Sequence, residues 1–437
     1  MNRYTDSPMT RRDMLKKTAA AAFSAAAAPY IIPSSALGLA GTTAPSNRLN
    51  LGMIGIGLMM RGHLGAMLGW DEVQVLAVCD VHQGRLDGGR QRVNQAYADK
   101  SASGVYNGCD ATRRYEDVVE RDDIDAVFVV TPDHWHVPIS LAAVRQGKDV
   151  YVEKPMTLTI REGRVLSDAC RRYGRILQVG SQQRSEWAFR KAAEIVRNGW
   201  IGRIKEVYAK LGSFSPPTVL PEQHVPEGFD YDRWLGSTPW RPYNAERVLG
   251  SYGGGWRRFR EYGARKNGDW GAHHYDIIQW ALGMEQAGPT FFFPKGYEGR
   301  AEMGFTYEDG PTVYRDRPCP SGQMIHFVGD QGWVGVSRGG QLVTDPPNLR
   351  DQPLAPGETR LYESDGHHQN WLDCVRSRRR PIADVEIGHR SATVCHLSAI
   401  AERLNRPIRW DPKAETIVGD PEAARWMDRP RRAPYTL

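Results

Sequence analysis

The feature that most constrains the fold is a short apolar strand that runs directly into a glycine-containing loop. Residues 49–54 read LNLGMI, and residues 55–63 read GIGLMMRGH. A strand, closely spaced glycines and a helix start let backbone N–H groups approach a pyrophosphate at the positive end of a helix. We expect Gly55 to permit the tight turn and Gly57 the close approach. A plain strand–turn–helix gives the same pattern, so the loop alone does not decide.

The loop departs from the usual three-glycine spacing at one position. The third glycine of a G-x-G-x-x-G motif is expected at position 60, where this chain has Met60. That glycine serves helix–strand packing, so its replacement should affect local packing more than contact with phosphate. We therefore keep Met59 and Met60 in the predicted cofactor loop.

The next strand supports a bound dinucleotide. Residues 73–79 read VQVLAVC and end at Asp80. An acid at this strand end suits hydrogen bonding to ribose hydroxyls and would repel a 2′-phosphate, so NAD is favoured over NADP. The alternative is that Asp80 caps the helix predicted over residues 82–98.

The alternation of strands and helices continues along the first third of the chain. Apolar strands are predicted over 124–130 and 148–152, with a helix over 138–146 between them. Such strands form a parallel sheet covered on both faces, and its ligands bind beyond the carboxyl ends of the strands. The segments TPDHWH (residues 131–136) and Glu153-Lys154-Pro155 follow two of these strands. The chemistry should therefore lie at those ends.

Length and charge narrow the class further. A chain of 437 residues is too long for one ordinary core and predicts two domains. Its formal net charge is only +6, and no basic block is long enough to follow a phosphate backbone, which disfavours nucleic acid as a partner. The six cysteines lack metal-ligand spacing.

Residues 1–40 resemble an export signal. Arg11 and Arg12 stand before an alanine-rich stretch that is broken at Pro29, too short to span a membrane. The paired arginines followed by Asp13, Met14, Leu15 and Lys16 resemble a twin-arginine signal, which predicts a periplasmic or otherwise exported protein. An ordinary secretory signal is the alternative.

Four motifs together resemble the Gfo/Idh/MocA oxidoreductases. They are TPDHWH (131–136), Glu153-Lys154-Pro155, GDWGAHHYD (268–276) and HQNWLDCVR (368–376) followed by Pro381. The resemblance implies an α/β protein with a Rossmann dinucleotide-binding domain over 48–156. It also implies a second α/β domain with a large, mostly antiparallel open sheet over 157–410, a tail over 411–437, and a homodimer or homotetramer.

The resemblance also implies that Lys154, Asp269 and His273 carry catalysis. Asp269 and His273 are four residues apart, so on one helix they would face the same way. A carboxylate beside an imidazole fixes its tautomer and favours its protonated form. Lys154 would place an ammonium near a developing alkoxide. The alternatives are a solvated lysine and a plain side-chain pair.

Two further groups of residues are predicted to border the ligands. The predicted cofactor contacts are Gly55, Gly57, Met59, Met60, Asp80, Thr131, Pro132, His134, His136, Glu153 and Lys154. The predicted substrate contacts are Trp135, Gln183, Arg184, Tyr252, Trp256 and Asp276. No metal is predicted, because adjacent histidines on a helix point about 100° apart.

The predicted export bears on the reaction. Outside the cytoplasm an NAD-dependent enzyme meets no renewable pool of free NAD, so tightly bound NAD should be recycled in place. One interpretation is an oxidoreductase acting on a hydroxyl of a sugar, polyol or glycoside by hydride transfer. The alternative is an NAD-dependent glycosidase that cleaves glycosides through a transient 3-keto intermediate. A non-catalytic carbohydrate-binding protein is disfavoured, because it needs no catalytic lysine.

Overall fold

The computed structural model describes residues 47–214, 216, 218–249 and 254–437, so the predicted signal over residues 1–40 and Tyr252 lie outside the described residues. The first sheet has six parallel strands in the order β3-β2-β1-β4-β5-β6. Its strands are β1 (Leu49–Ile54), β2 (Val73–Cys79), β3 (Asp110–Thr112), β4 (Ala126–Val129), β5 (Asp149–Val152) and β6 (Leu177–Val179). Its helices are α1 (Met60–Leu68), α2 (Gln83–Ala96), α3 (Ala98–Ala102), α4 (Glu116–Val119), α5 (His136–Arg145) and α6 (Ile160–Tyr173).

The central strands owe their place to their apolar sequences. Every residue of β4 (AVFV) and β5 (DVYV) is buried, as expected for strands that helices cover on both faces. The prediction of a parallel sheet with an alternating helix pattern is confirmed, and β1 and β2 have the predicted bounds. The helix predicted over 82–98 is interrupted at Tyr97 and continues as the short α3.

The first sheet extends past the predicted domain boundary at residue 156. Helix α6 begins at a capping box in which Thr159 and Glu162 satisfy each other's backbone N–H groups, and it is followed by Gly174 at φ +62°. This helix returns the chain to β6, which pairs in parallel with β5. The sixth strand therefore belongs to the first sheet.

The second sheet has nine strands in the order β13-β12-β11-β7-β10-β9-β8-β14-β15. All neighbours pair antiparallel except β7 and β10, so the predicted mostly antiparallel sheet is confirmed. The strands are β7 (Ile204–Ala209), β8 (Phe291–Phe293), β9 (Gly304–Thr306), β10 (Thr312–Arg315), β11 (Ile325–Gly329), β12 (Trp333–Ser337), β13 (Gln341–Asp345), β14 (Ile408–Asp411) and β15 (Thr416–Val418).

Eight further helices of the described residues follow β6; several pack on this second sheet, whereas the helix at residues 367–377 packs on the first sheet. The eight helices are α7 (Trp187–Arg197), α8 (Tyr231–Leu235), α9 (Ala245–Val248), α10 (Arg265–Asp269), α11 (Gly271–Leu282), α12 (His367–Ser377), α13 (Val385–Leu404) and α14 (Pro421–Ala424). Helix α11 is buried from Gly271 to Ala281, so its polar side chains, among them His273 and Asp276, lie inside the protein together with its apolar ones.

The carboxyl-terminal tail contacts the first half of the chain. Arg431 forms an ion pair of 3.3 Å with the buried Glu162 at the start of α6. Tyr435 packs edge-on against Trp135, with the ring centroids 5.2 Å apart. The tail therefore supports the segment that follows β4. Within the described part of the chain, no helix combines the length and the apolar character needed to cross a bilayer.

Candidate active site

One cleft lies beyond the carboxyl ends of β1, β2, β4 and β5, where the chemistry was predicted. It encloses about 1230 Å³, the open solvent at its mouth included. The predicted residues that line it are Gly55, Gly57, Met59, Asp80, Thr131, Pro132, Trp135, His136, Glu153, Lys154 and Trp256. The opposite wall comes from the second half of the chain: Arg233, Trp234, Val248, Trp256 and Arg257.

The two loop glycines have different roles. Gly55 has φ +88°, in the left-handed region that glycine enters at low cost. A Cβ at Gly55 would also lie 2.6 Å from the carbonyl oxygen of Val130. A Cβ at Gly57 would meet no protein atom within 4 Å. The first glycine is therefore required by the turn itself, whereas the second leaves space for a ligand.

Asp80 follows β2 and connects the carboxyl end of that strand to the glycine loop through hydrogen bonds. Its Oδ2 accepts from the Ile56 N–H and its Oδ1 from the His82 N–H, both at 2.8 Å. Burial raises the pKa of Asp80, and these two N–H groups act in the opposite direction. His82 is the residue before α2, so Asp80 also holds the start of that helix, as the capping alternative expected. A carboxylate accepts about four hydrogen bonds, so acceptor capacity remains for ribose hydroxyls.

Two predicted cofactor contacts, Met60 and His134, are not among the described residues that line the cleft. Met60 opens α1 fully buried in the core with Leu51 and Met53. Its side chain fills the helix–strand contact that a glycine would leave open. His134 is 1% exposed, and its Nε2 lies 2.8 Å from the carbonyl oxygen of Trp234. The tight turn over 133–135 directs its ring away from the cleft.

His136 lines the cleft and joins two strand ends. Its Nδ1 lies 2.7 Å from the Pro155 carbonyl oxygen, and its Nε2 lies 2.9 Å from that of Thr131. Burial lowers the pKa of His136. The ring therefore fixes the segment carrying Lys154 against the segment that follows β4.

Glu153 lines the cleft as a buried, hydrogen-bonded carboxylate. Its Oε1 accepts from Gln182 Nε2 at 2.8 Å and lies 3.1 Å from His63 Nε2, while its Oε2 accepts from the Lys154 N–H. Burial raises the pKa of Glu153, but the hydrogen bond and charge of His63 and the charge of Lys154 outweigh it, so the pKa is lowered. This network holds the residue before Lys154 in place.

The Lys154 side chain is anchored by Asp269. Its Nζ donates to the backbone oxygen of Asp269 at 2.9 Å and to Oδ1 at 3.1 Å. The same carboxylate lies 3.6 Å from Arg257 Nε and 3.9 Å from Lys266 Nζ. All four side chains are between 15% and 17% exposed. Two helical segments of the second half of the chain thus position the ammonium that follows β5.

The predicted pairing of Asp269 with His273 is not formed. Asp269 ends α10, while His273 belongs to α11, which begins after Trp270. The four-residue spacing therefore does not run along a single helix, and the carboxylate turns to Lys154 instead. Burial, followed by the charges of Lys154 and Arg338, holds the pKa of His273 well below its usual value. The predicted stabilisation of a protonated imidazole was thus wrong. Neither residue lines the cleft in the part of the chain described.

Three predicted substrate contacts are buried behind the cleft. Arg184 and Asp276 are each 1% exposed and pair with each other through two bonds, of 2.6 and 2.9 Å. In the amide orientation that gives both its nitrogen and its oxygen a partner, Gln183 donates to the backbone oxygen of His273 at 3.2 Å. Arg184 and Asp276 satisfy each other, Gln183 bonds to the backbone of α11, and none of the three is among the described residues that line the cleft. Trp135 and Trp256 do line the cleft.

Asp133 is one of the cleft residues that the sequence analysis did not select. It is 4% exposed, and its Oδ2 accepts from the Ala264 N–H at 2.9 Å. Burial raises the pKa of Asp133 to about 7. Its position in the segment after β4 was the available signal, since that segment also supplied Thr131 and His136. Across the described ranges, no group of three or more His, Cys, Asp or Glu side chains is arranged to hold a metal ion.

Solved structures share this fold over most of the chain. They include an aldose-aldose oxidoreductase from Caulobacter crescentus complexed with glycerol, with TM-score 0.55, 17% identity, and 83% of this chain and 99% of that one covered. A WlbA dehydrogenase from Bordetella pertussis in complex with NADH and UDP-GlcNAcA gives TM-score 0.53 at 18% identity, covering 83% and 98%. A scyllo-inositol dehydrogenase from Lactobacillus casei with bound NAD(H) and scyllo-inositol gives 0.53 at 16%, covering 83% and 99%. At these identities the likeness shows the fold.

Curated relatives match a shorter part of the chain. A glycosyl hydrolase family 109 protein of Shewanella baltica (strain OS155) is 33% identical over 165 residues, which is 35% of each chain. An alpha-N-acetylgalactosaminidase of Shewanella oneidensis is 34% identical over 131 residues, covering 30% of this chain and 28% of the relative. The match thus spans about a third of the length of these relatives.

Two family models cover nearly all of residues 49–437. The NAD-binding Rossmann fold of an oxidoreductase family matches residues 49–181, and the C-terminal alpha/beta domain of the same family matches residues 211–437. The first match contains the glycine loop, Asp80 and Lys154, and the second contains Asp269. The first sheet is thus an NAD-binding Rossmann domain, and the chain belongs to the Gfo/Idh/MocA oxidoreductase family.

Proposed function

We propose that the protein transfers hydride between a bound NAD and a hydroxyl-bearing carbon of a sugar, polyol or glycoside. The observation that carries this proposal is the position of Lys154. Its ammonium lines the same cleft as the glycine loop and is held by Asp269. A fixed cation near a reacting oxygen stabilises the alkoxide that develops when hydride leaves the carbon.

The residues of the cleft fit a dinucleotide. The open face of Gly57 and the backbone N–H groups that follow it would receive the pyrophosphate. Asp80 would accept from ribose hydroxyls, and its charge would disfavour a 2′-phosphate. The strand ends β4 and β5 supply the residues closest to Lys154 in the sheet. Of these, Thr131, Pro132 and Glu153 would border the nicotinamide. When bound, NAD supplies the acceptor for hydride.

The contacts of Lys154 and the surroundings of His273 indicate what each residue contributes to the reaction. Lys154 has three donors, and two of them are used on Asp269, so one remains to face the substrate oxygen. Burial and the charges of Lys154 and Arg338 lower the pKa of His273, which weakens its binding of a proton. We therefore assign Lys154 and Asp269 to stabilising the alkoxide, with His273 packed behind them.

A second candidate function is an NAD-dependent glycosidase. The curated relatives that carry the names glycosyl hydrolase family 109 protein and alpha-N-acetylgalactosaminidase favour it. In such an enzyme, transient oxidation at carbon 3 acidifies the neighbouring C–H bond and the glycosidic bond leaves by elimination. The two functions share the same first step at the same lysine.

We also propose that the protein is exported through its twin-arginine-like signal with NAD already bound, and that it assembles as a homodimer or homotetramer. Replacing Arg11 and Arg12 together by lysine should retain the protein in the cytoplasm. Light scattering of the purified protein should give the mass of two or four chains. Cytoplasmic retention of the unchanged protein, or a mass of one chain, would contradict these two expectations.

The reaction is tested on the protein purified without added cofactor. Denaturation should release about one NAD per chain. The holoenzyme is then given glucose, myo-inositol and 4-nitrophenyl N-acetyl-α-galactosaminide, and NADH absorbance and nitrophenol are followed together. NADH formed on the enzyme without nitrophenol selects the oxidoreductase, and nitrophenol without net NADH selects the glycosidase. Loss of both signals in Lys154→Met, but not in Lys205→Met on β7, would attribute them to the cleft. No bound NAD and no response to any compound would refute the proposal.

A further inference from the structure

A second hollow of the molecule is strongly basic. It lies between the start of α6, the start of α13, the turn that joins β14 to β15 and the chain after α14. This basic groove encloses about 1590 Å³, the open solvent at its mouth included. Of the residues that line it, seven are arginine or lysine and three are glutamate or aspartate. Among the described residues, the groove and the cleft of Lys154 share no lining residue.

Two of the three groove carboxylates are bound by arginines of the groove itself. Arg164 Nη2 lies 2.7 Å from Glu386 Oε1 and 2.6 Å from Glu415 Oε1. Arg390 contacts the same two oxygens, with Nε 2.9 Å from Glu386 and Nη2 2.9 Å from Glu415. Two cations and two anions therefore neutralise each other.

The third carboxylate and one further arginine are also paired. Asp428 Oδ1 lies 2.7 Å from Nη2 of Arg431, a residue of the tail that does not line the groove. Arg171 forms an ion pair with Asp384, the residue before α13. Each carboxylate that lines the groove is thus already held by an arginine.

The other four groove cations form its rim: Arg161, Arg380, Lys413 and Arg425. All four are exposed, and they come from four separate segments of the chain. Since the groove carboxylates are held by other arginines, the rim concentrates positive charge around one concave surface. Such a field attracts anions and raises their local concentration.

The rim determines what kind of anion fits. Three of its four residues are arginines, whose planar donors match the oxygens of carboxylate, sulfate or phosphate groups in pairs. Because the four side chains stand on separate segments, an anion with several charged groups can engage more of them than a single ion can. A concave surface suits a chain better than a flat membrane.

Two observations favour a sugar chain over nucleic acid. The formal net charge of the whole protein is only +6, little for a protein that follows a phosphate backbone. Trp426, between the groove residues Arg425 and Met427, is 40% exposed. An exposed indole offers an apolar face on which a sugar ring can pack.

We propose that the basic groove binds a glycan chain that carries carboxylate or sulfate groups, with the four rim cations as its anion contacts. This inference rests on the proposed function at one point, that the protein meets carbohydrates, and it assigns no step of the reaction. Binding in the groove would hold the protein on an acidic polysaccharide.

The test is calorimetric titration of the purified holoprotein with a galacturonic acid hexamer, a heparin hexasaccharide and neutral maltohexaose. The wild type should bind at least one of the two acidic chains. That binding should weaken strongly between about 20 and 200 mM NaCl, because salt screens contacts between exposed charges. Maltohexaose should bind at least about tenfold more weakly than that acidic chain, since it offers the rim no charge. A preference for the galacturonate or for the heparin chain shows which acidic group is bound.

The decisive variant is Arg161→Gln combined with Arg425→Gln, which removes two rim charges. It should bind the acidic chain about tenfold more weakly than the wild type. The matched control is Arg145→Gln combined with Arg360→Gln, which removes the same charge. These two arginines are exposed, and neither is among the described residues that line the groove or the cleft. The control should keep the wild-type affinity.

Melting temperature and bound NAD are measured for every variant. Both should match the wild type, because the rim is exposed and lies outside the cleft. Should the first variant melt at a lower temperature, Arg380→Gln combined with Lys413→Gln replaces it, with the same expected loss of affinity.

Three results would overturn the inference: no binding of either acidic chain, equal weakening in the rim variant and its control, or tighter binding of a short DNA duplex than of both glycans. The titrations need no turnover, so the two proposals fail separately. If the acidic chain binds as described but no compound of the panel (glucose, myo-inositol and the nitrophenyl glycoside) reacts, the proposed function fails and the groove stands. If the panel reacts but neither acidic chain binds, the groove fails and the proposed function stands.

Discussion

The two ends of the cleft are built on different principles. At the glycine-loop end, backbone shape decides: Gly55 takes a conformation that side chains disfavour, and Asp80 is held by two N–H groups. At the Lys154 end, side-chain charge decides: an ammonium, a guanidinium and a second lysine surround Asp269. A site for a large, invariant ligand can rely on shape, whereas proton and hydride transfer need charges placed at one atom.

Two of the buried carboxylates of the cleft, Asp80 and Asp133, also differ between the two ends. Asp80 and Asp133 each follow a parallel strand and each bind backbone N–H groups. Asp80 uses both oxygens on the protein, while Asp133 uses one and faces the cations of the Lys154 end. Equal position in the sheet thus does not give equal chemistry.

The largest expected effect is on the pH dependence of stability. The folded-state pKa of Asp133 is about 7, against 3.8 for the free group. Its protonated form is favoured in the folded state, so this contribution is complete below about pH 4 and is lost as the pH rises through about 7. Asp133→Asn should therefore gain stability relative to wild type between pH 4 and 8, by about 4 kcal/mol. Urea unfolding at several pH values measures it. Parallel profiles for the two proteins would place Asp133 among ordinary carboxylates.

The next largest effect is on the rate at the charged end. Lys154→Met should lower the single-turnover rate of NAD reduction by about 10²–10³-fold, or roughly 3–4 kcal/mol, because the alkoxide loses a fixed donor. Bound NAD should remain near one per chain. A variant that loses NAD in proportion to its rate would instead assign Lys154 to the cofactor end.

Two glycine variants test the glycine-loop end of the cleft. Gly55→Ala meets a left-handed φ and the Val130 carbonyl oxygen, and should lose about 1–3 kcal/mol of unfolding free energy. Gly57→Ala meets no protein atom, so its stability should be unchanged while NAD affinity falls. Calorimetry of unfolding and of NAD binding to the apoprotein separates the two. Unaltered NAD affinity in Gly57→Ala would move the pyrophosphate away from this loop.

The smallest effect is expected at Met60. Because this residue belongs to the core and not to the cleft, Met60→Leu should change stability by less than about 1.5 kcal/mol and leave NAD affinity unaltered. Thermal unfolding and NAD titration check both statements. A clear change in NAD affinity would return Met60 to the cofactor contacts.

Much of the first domain could be predicted because its signals are local. The apolar runs at 49–54 and 73–79 define strands without reference to distant residues, and the strand ends locate Asp80 and Lys154. The helix break at Trp270 has no comparable signal, and a four-residue spacing therefore suggested a pair that does not exist. The partners of Arg184 and Asp276 are distant in sequence, so their mutual ion pair is a property of the fold. In the sequence, Asp133 lies among the predicted site residues of segment 131–136. Its burial, which sets its chemistry, is visible only in the fold.

The central claim is that hydride leaves and returns within one cleft that keeps its NAD. It is tested most directly by isotope tracking with the active compound of the panel, deuterated at its ring carbons, and an excess of unlabelled free NADH. Recycling in place predicts that the deuterium taken up by the bound NAD is returned to sugar, either to the carbon that was oxidised or to a second sugar that accepts it. Replacement of that deuterium by hydrogen from the free NADH would show that the cofactor exchanges in every cycle, and would contradict the account.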